Sequence, residues 1–315
     1  MKCVVLINLV TLASAAHAAQ SPAKDLRPAL VAEGILSTPD DELNAAFTPD
    51  GQTVYFSKNV GDRTGVIVLS RQTGGKWGTP EVASFSGQYS DYDPFVSPDG
   101  SRLLWISNRP VDDKKKDDYD IWMVEKRAGG WGPPIHLPAP INTDAEEFYP
   151  SVTAKGTLYF SSTRPGGMGR GGDIYRAERD GGTYGAPKSL GDSVNSATHD
   201  ADPYIAPDES FLVFASYGRP GAVGDGDLYV SHRRNGAWSA ARRLDHGINT
   251  PAREYCPIVS PDGKWLYFTS FRGDIDSPRS KPITFRELSD QLRTTLNGYG
   301  NVYRIPVAAL TLPAS

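Results

Sequence analysis

Asp91-Tyr92-Asp93-Pro94-Phe95-Val96-Ser97-Pro98-Asp99-Gly100 is the stretch that decides the fold, because its second half returns as Val259-Ser260-Pro261-Asp262-Gly263. Three weaker copies are Phe47-Thr48-Pro49-Asp50-Gly51, Val152-Thr153-Ala154-Lys155-Gly156 and Ile205-Ala206-Pro207-Asp208-Glu209. With Pro49, Pro98, Ala154, Pro207 and Pro261 taken as equivalent, the copies are 49, 56, 53 and 54 residues apart. Internal repeats of about this length mark solenoids or propellers and are best sought before any other signal.

Each copy has room for four strands. A short strand A, such as Asp93-Pro94-Phe95-Val96, precedes the Pro-Asp turn. An apolar strand B follows it: Val54-Tyr55-Phe56, Leu103-Leu104-Trp105, Leu158-Tyr159-Phe160, Leu212-Val213-Phe214 and Leu266-Tyr267-Phe268. Aromatic and branched residues favour strands, and Asp-Gly suits the tight turn between them. Strand C reads Asp120-Ile121-Trp122, Asp173-Ile174-Tyr175, Asp227-Leu228-Tyr229 and Asn301-Val302-Tyr303, with Val66-Ile67-Val68 in the first copy. Gly-led turns then open strand D at Trp77, Trp131, Tyr184 and Trp238. Four antiparallel strands per unit predict a five-bladed β-propeller; six blades would need strand sets that the chain does not contain. The fifth copy ends at its strand C, so the segment from Ala29 to Leu36 is expected to supply the missing fourth strand and close the ring.

Acidic-x-x-Pro-x-x-Ser-Pro-Asp-Gly, then an aromatic strand ending in Ser107-Asn108-Arg109, then Asp120-Ile121-Trp122, resembles the repeat of TolB-type propellers. The resemblance runs through nearly all of the chain after its first residues. It implies the propeller fold and a binding or scaffolding role. No segment resembles the N-terminal α/β domain of TolB, so the resemblance does not extend to TolB's own role.

Lys2, the apolar run Val4 to Ala13 and Ala16-His17-Ala18 fit a secretory signal cleaved after Ala18, which predicts a periplasmic or secreted protein. The alternatives are a buried N-terminal helix or a membrane anchor, for which the run is short. Residues 19–315 are then expected to form one propeller domain. Cys3 would leave with the signal, so Cys256 is expected to be buried, inert and without a disulfide partner. The 39% hydrophobic content, 32 Gly and 25 Pro suit many short strands joined by turns. A net charge of −4 of mixed sign argues against a nucleic-acid partner. Nothing after the signal predicts a membrane-spanning segment, and the chain is expected to act as a monomer.

Chemistry is expected at the face that carries the B–C loops, because these vary in length while the Pro-Asp-Gly turns do not. An acidic residue begins every strand A: Glu42, Asp91, Glu147, Asp200 and Glu254. A base follows every strand B: Lys58, Arg109, Arg164, Arg219 and Arg272. Strict repetition points to scaffold ion pairs joining adjacent blades. Departures from symmetry point to a site: Asp93 and Asp202 add carboxylates in two blades, beside Asp91, Asp200 and His199. Such a cluster can hold a hard cation such as calcium, or act as the acid and base of a glycosidase. No cofactor is otherwise expected. No nucleophile elbow, zinc-protease helix, phosphate loop or paired-cysteine motif is present, and His136, His232 and His246 are scattered.

The reading that follows is a module binding a protein partner or a cell-envelope polysaccharide. A carbohydrate-active enzyme using Asp91, Asp93, Glu147, Asp200 or Asp202 is the alternative. Gly166 to Gly172 reads as a flexible hairpin tip. Phe285, Leu288, Leu292 and Leu296 predict a helix over about 284–297, within an insertion at about 280–298. Its apolar stripe is expected to pack on the propeller rim, or to serve as a lid or docking surface.

Overall fold

The computed structural model describes residues 27–61, 64–116, 118–169, 171–273 and 279–310. The expected signal segment, residues 1–18, lies outside them. No helix among the described residues is long and apolar enough to cross a membrane.

Five antiparallel blades stand around one axis, as the repeat predicts. Their innermost strands are Glu42–Phe47, Asp91–Val96, Glu147–Val152, His199–Ile205 and Glu254–Val259. These meet in cyclic order, the fifth returning to the first. Blade 2 shows the pattern: Asp91–Val96 pairs with Arg102–Ser107, which pairs with Asp120–Arg127, which pairs with the short outer strands Gly130–Trp131 and Ile135–His136. In blade 5 the fourth strand comes from the other end of the chain: Ala29 lies opposite Arg304 and Leu30 opposite Tyr303.

The strand B aromatics Phe56, Trp105, Phe160, Phe214 and Phe268 are all buried. Burying one such side chain is worth about 1.5–3 kcal/mol. The third blade lacks the Pro-Asp turn, and the structure gives the reason. Ala154 donates its amide hydrogen to the carbonyl of Pro207 in blade 4 at 2.8 Å, a bond that proline could not make.

Each inner strand carries a bulge two residues after its acid. Asn44, Asp93, Tyr149, Asp202 and Cys256 all have φ between 50° and 58°, the left-handed region that side chains rarely adopt. The pairing register slips at all five places. In four blades the next residue is proline (Pro94, Pro150, Pro203, Pro257), whose missing N–H is tolerated in a strand at a bulge.

The insertion in blade 5 differs from expectation. Its helix is one short element, Phe285–Gln291, capped by Thr284 and Glu287 in a reciprocal box, and none of its residues is buried. Phe285 is 83% exposed and Leu292 and Leu296 are also exposed, so the apolar stripe does not pack on the rim. Polar anchors hold the insertion instead: Asn297 donates to the carbonyl of Pro39 at 2.7 Å, and Thr295 to Glu33 at 3.1 Å.

Candidate functional site

The ring of acids at the loop face is built the same way in four blades, where the acid accepts from the hydroxyl residue four positions before it; Asp91 accepts instead from Ser86 and the Trp105 indole. Glu147 accepts from the backbone and hydroxyl of Thr143, from the Ser162 hydroxyl and from Arg164 at 3.1 Å. Asp91 meets Arg109 at 3.0 Å, Asp200 meets Arg219 at 2.8 Å and Glu254 meets Arg272 at 3.4 Å; Glu42 has Lys58 at 2.9 Å. Each guanidinium also lies over the aromatic rings of strands B and C. Arg219 stands 5.2 Å from the Phe214 centroid and 5.0 Å from that of Tyr229.

Acid and base belong to the same blade, so the pairs do not join neighbouring blades as the sequence suggested. The arginines reach instead to carbonyls of the connection entering their own blade: Phe85, Ile141, Val194 and Ile248. This unit explains the repeat. The acid at the start of strand A, the aromatic of strand B, the Ser-x-Arg after it and the aromatic of strand C are one contact set. Burial raises the carboxyls of Glu42, Glu147 and Glu254 despite their hydroxyl and cationic partners.

A further repeated position escaped the sequence reading. Five residues before each acid stand Ser37, Ser86, Asn142, Asn195 and Asn249. Their side chains accept the amide of the middle strand C residue: Val302, Ile67, Ile121, Ile174 and Leu228. The signal was present as Ile141-Asn142-Thr143 against Ile248-Asn249-Thr250.

The bulge residues form a second, asymmetric ring nearer the axis. Asp93 accepts the Tyr149 amide, Asp202 accepts the Cys256 amide at 3.3 Å, and the Cys256 thiol lies beside the Asn44 amide. The left-handed backbone is what turns each amide toward the neighbouring blade. Burial, with repulsion from Asp202, holds the Asp93 carboxyl well above its ordinary range. Asp202 is pushed up by burial to about 7, against the Cys256 amide and the charge of Arg253. Neither forms an ion pair within the described residues. Cys256 is buried, its thiol raised by burial, and it has no disulfide. The structure therefore separates the predicted residues into two sets. Glu42, Asp91, Glu147, Asp200 and Glu254 are neutralised in place, while Asp93 and Asp202 are not.

Tyr149 reaches across the ring at this level. Its hydroxyl donates to the carbonyl of Pro257 at 2.8 Å, joining blade 3 to blade 5 across the axis. Above it, at the loop end, half-buried aromatics surround the funnel. Tyr255 stacks on Phe271 at 5.8 Å, and His199 lies between Phe148 and Tyr217. The glycine-rich loop is not a free tip at Gly169, Gly171 and Gly172. A Cβ on Gly169 would stand 2.2 Å from the Thr198 carbonyl oxygen and one on Gly171 would strike His199, so the loop packs against the entry to blade 4. Gly172 donates its amide to His199 Nδ1 at 2.6 Å, which fixes that ring, and burial lowers the His199 pKa. Among the described residues, no three His, Cys, Asp or Glu side chains are grouped as a metal ion requires.

With the geometry in hand, the chain can be set beside known proteins. Its architecture is shared with solved propellers. The arabinanase Arb43A of Bacillus subtilis superposes with a TM-score of 0.52 at 11% identity, over 86% of this chain and 95% of that one. An Agrobacterium tumefaciens protein described as a candidate TolB gives 0.48 at 17% identity, over 88% and 92%. A gluconolactonase from Xanthomonas campestris gives 0.45 at 17%, over 76% and 72%. At such identities the likeness concerns fold alone. No protein-family model and no curated protein matches the chain.

Proposed function

We propose that this propeller is an exported binding module that holds a cell-envelope polysaccharide in its loop-face funnel. The observation that carries this reading is the division of labour between the two rings. The repeated acids are consumed by Arg or Lys and hydroxyl partners, whereas the funnel holds half-buried aromatic rings at Tyr92, Phe148, Tyr217, Tyr255 and Phe271. Aromatic rings take the apolar faces of sugars, and the polar floor at Asp93 and Asp202 can accept their hydroxyls. A protein partner would use the same face.

The test is retardation of the protein in native gels cast with envelope polysaccharide. Retardation is expected and should weaken in Tyr217→Ala and Tyr255→Ala; protein that migrates unchanged at every polysaccharide concentration would refute the reading. One observation favours a second reading, in which the site hydrolyses the polymer. Two carboxyls without cationic partners, both raised by burial, are the kind of environment that keeps an acid protonated near neutral pH. Release of reducing ends that disappears in Asp202→Asn would favour hydrolysis over simple binding.

A further inference from the structure

The face opposite the funnel carries the short, uniform Pro-Asp turns, and an apolar concavity lies among them. It occupies about 440 Å³ at the turn end of the axis, below Tyr149. That volume falls in the range of small-molecule sites, which are mostly apolar with a few placed polar groups. Its walls come from four blades: Phe47, Phe95, Val96, Tyr204, Ile258 and Val259 are among the residues that line it. None of Asp93, Tyr149, Asp202, Tyr217 or Tyr255 lines it, so its walls are a different set of residues from those of the funnel.

Its polar groups are sparse and one-sided. Asp208 is the sole charged residue among those lining the cavity. The backbone and hydroxyl of Ser210 donate to it at 3.0 and 2.6 Å, holding its carboxyl below the usual range. It forms no ion pair among the described residues, unlike Asp262 of blade 5, which has Lys264 at 3.1 Å. Tyr204 and Phe211, on the same blade, place two aromatic rings beside it, 6.2 Å apart.

We propose that this cavity is a second binding site, for a small ligand with an apolar body and a single cationic nitrogen. The aromatic and aliphatic walls take the body, and Asp208 with the neighbouring rings takes the charge. The inference does not rest on the polysaccharide reading, since no residue of the funnel lines the cavity.

The experiment is calorimetric titration of the full chain with three probes of one shape: 4-phenylbutylammonium, 4-phenylbutanol and 4-phenylbutyrate. The ammonium should bind about fivefold more tightly than the alcohol, with the carboxylate weakest. Asp208→Asn should abolish the preference while the alcohol still binds. Val307→Trp, at a half-buried lining position that leaves the inner strands untouched, should block all three without changing the melting temperature. Equal affinity for the ammonium and the alcohol, absence of binding to every probe, or binding unaffected by Val307→Trp would overturn the proposal. Polysaccharide retardation is read separately and does not bear on these outcomes.

Discussion

The Tyr149 hydroxyl lies 2.8 Å from the carbonyl oxygen of Pro257, on a blade that is not next to Tyr149's own in the ring. One hydrogen bond thus ties together two blades that are not neighbours in the ring. Tyr149→Phe keeps the ring but leaves a buried carbonyl unpaired, which costs about 1–3 kcal/mol. Chemical denaturation should show that loss with an unchanged m-value.

Arg219→Ala tests the contact set inside a blade. Asp200 is fully buried, and its partner guanidinium also bonds the Ser216 hydroxyl and the Val194 carbonyl. Removing one member of a buried pair costs about 3–5 kcal/mol, because a charge is left without compensation. Arg253→Ala, whose ion pair with Asp225 is exposed, should cost no more than about 1 kcal/mol. Urea midpoints of the two variants separate these cases.

Stability should depend on pH in a direction set by Asp202. Its carboxyl is raised to about 7 in the folded protein, against an ordinary value of 3.8. The folded state therefore holds this proton more tightly, so its contribution is full below about pH 4 and is lost as pH rises toward 7. Glu42, Glu147 and Glu254 are raised as well and act in the same sense. Urea midpoints measured from pH 4 to pH 8 should show a decline that is shallower in Asp202→Asn. A slope identical to that of the unaltered protein would refute the assignment.

Removing residues up to 31 deletes the strand that completes blade 5 and leaves Asn301–Pro306 as a bare edge. Exposed edges invite pairing between molecules. The truncated chain is expected to melt at lower temperature and to aggregate on heating, which light scattering during a thermal ramp will show.

Most of the fold could be read in advance because the repeat binds residues that act together. The acid of strand A, the aromatics of strands B and C and the arginine that follows strand B recur together because four of the five blades build the same guanidinium sandwich. Closure by Ala29–Leu30 followed from counting strands. Other features depended on what spacing does not encode. The insertion helix is short because Thr295 and Asn297 hold the segment through hydrogen bonds, a preference invisible to an apolar stripe. Asp93 and Asp202 stood out as departures from symmetry, but the left-handed bulge that aims their neighbours' amides at them had only the following proline as its trace. The turn-face cavity was hidden by the regularity of the turns that frame it.

The latch formed by Ala29 with Arg304 also orders events in the life of the chain. Its two halves are the first and last strands of the described chain, so the first four blades lie wholly between them while the fifth needs both ends. Until the final strand emerges, the N-terminal strand has no partner and the ring is open. Sealing is thereby tied to completion: a chain interrupted before residue 301 carries four whole blades, a fifth with only two strands, and no partner for Ala29–Leu30.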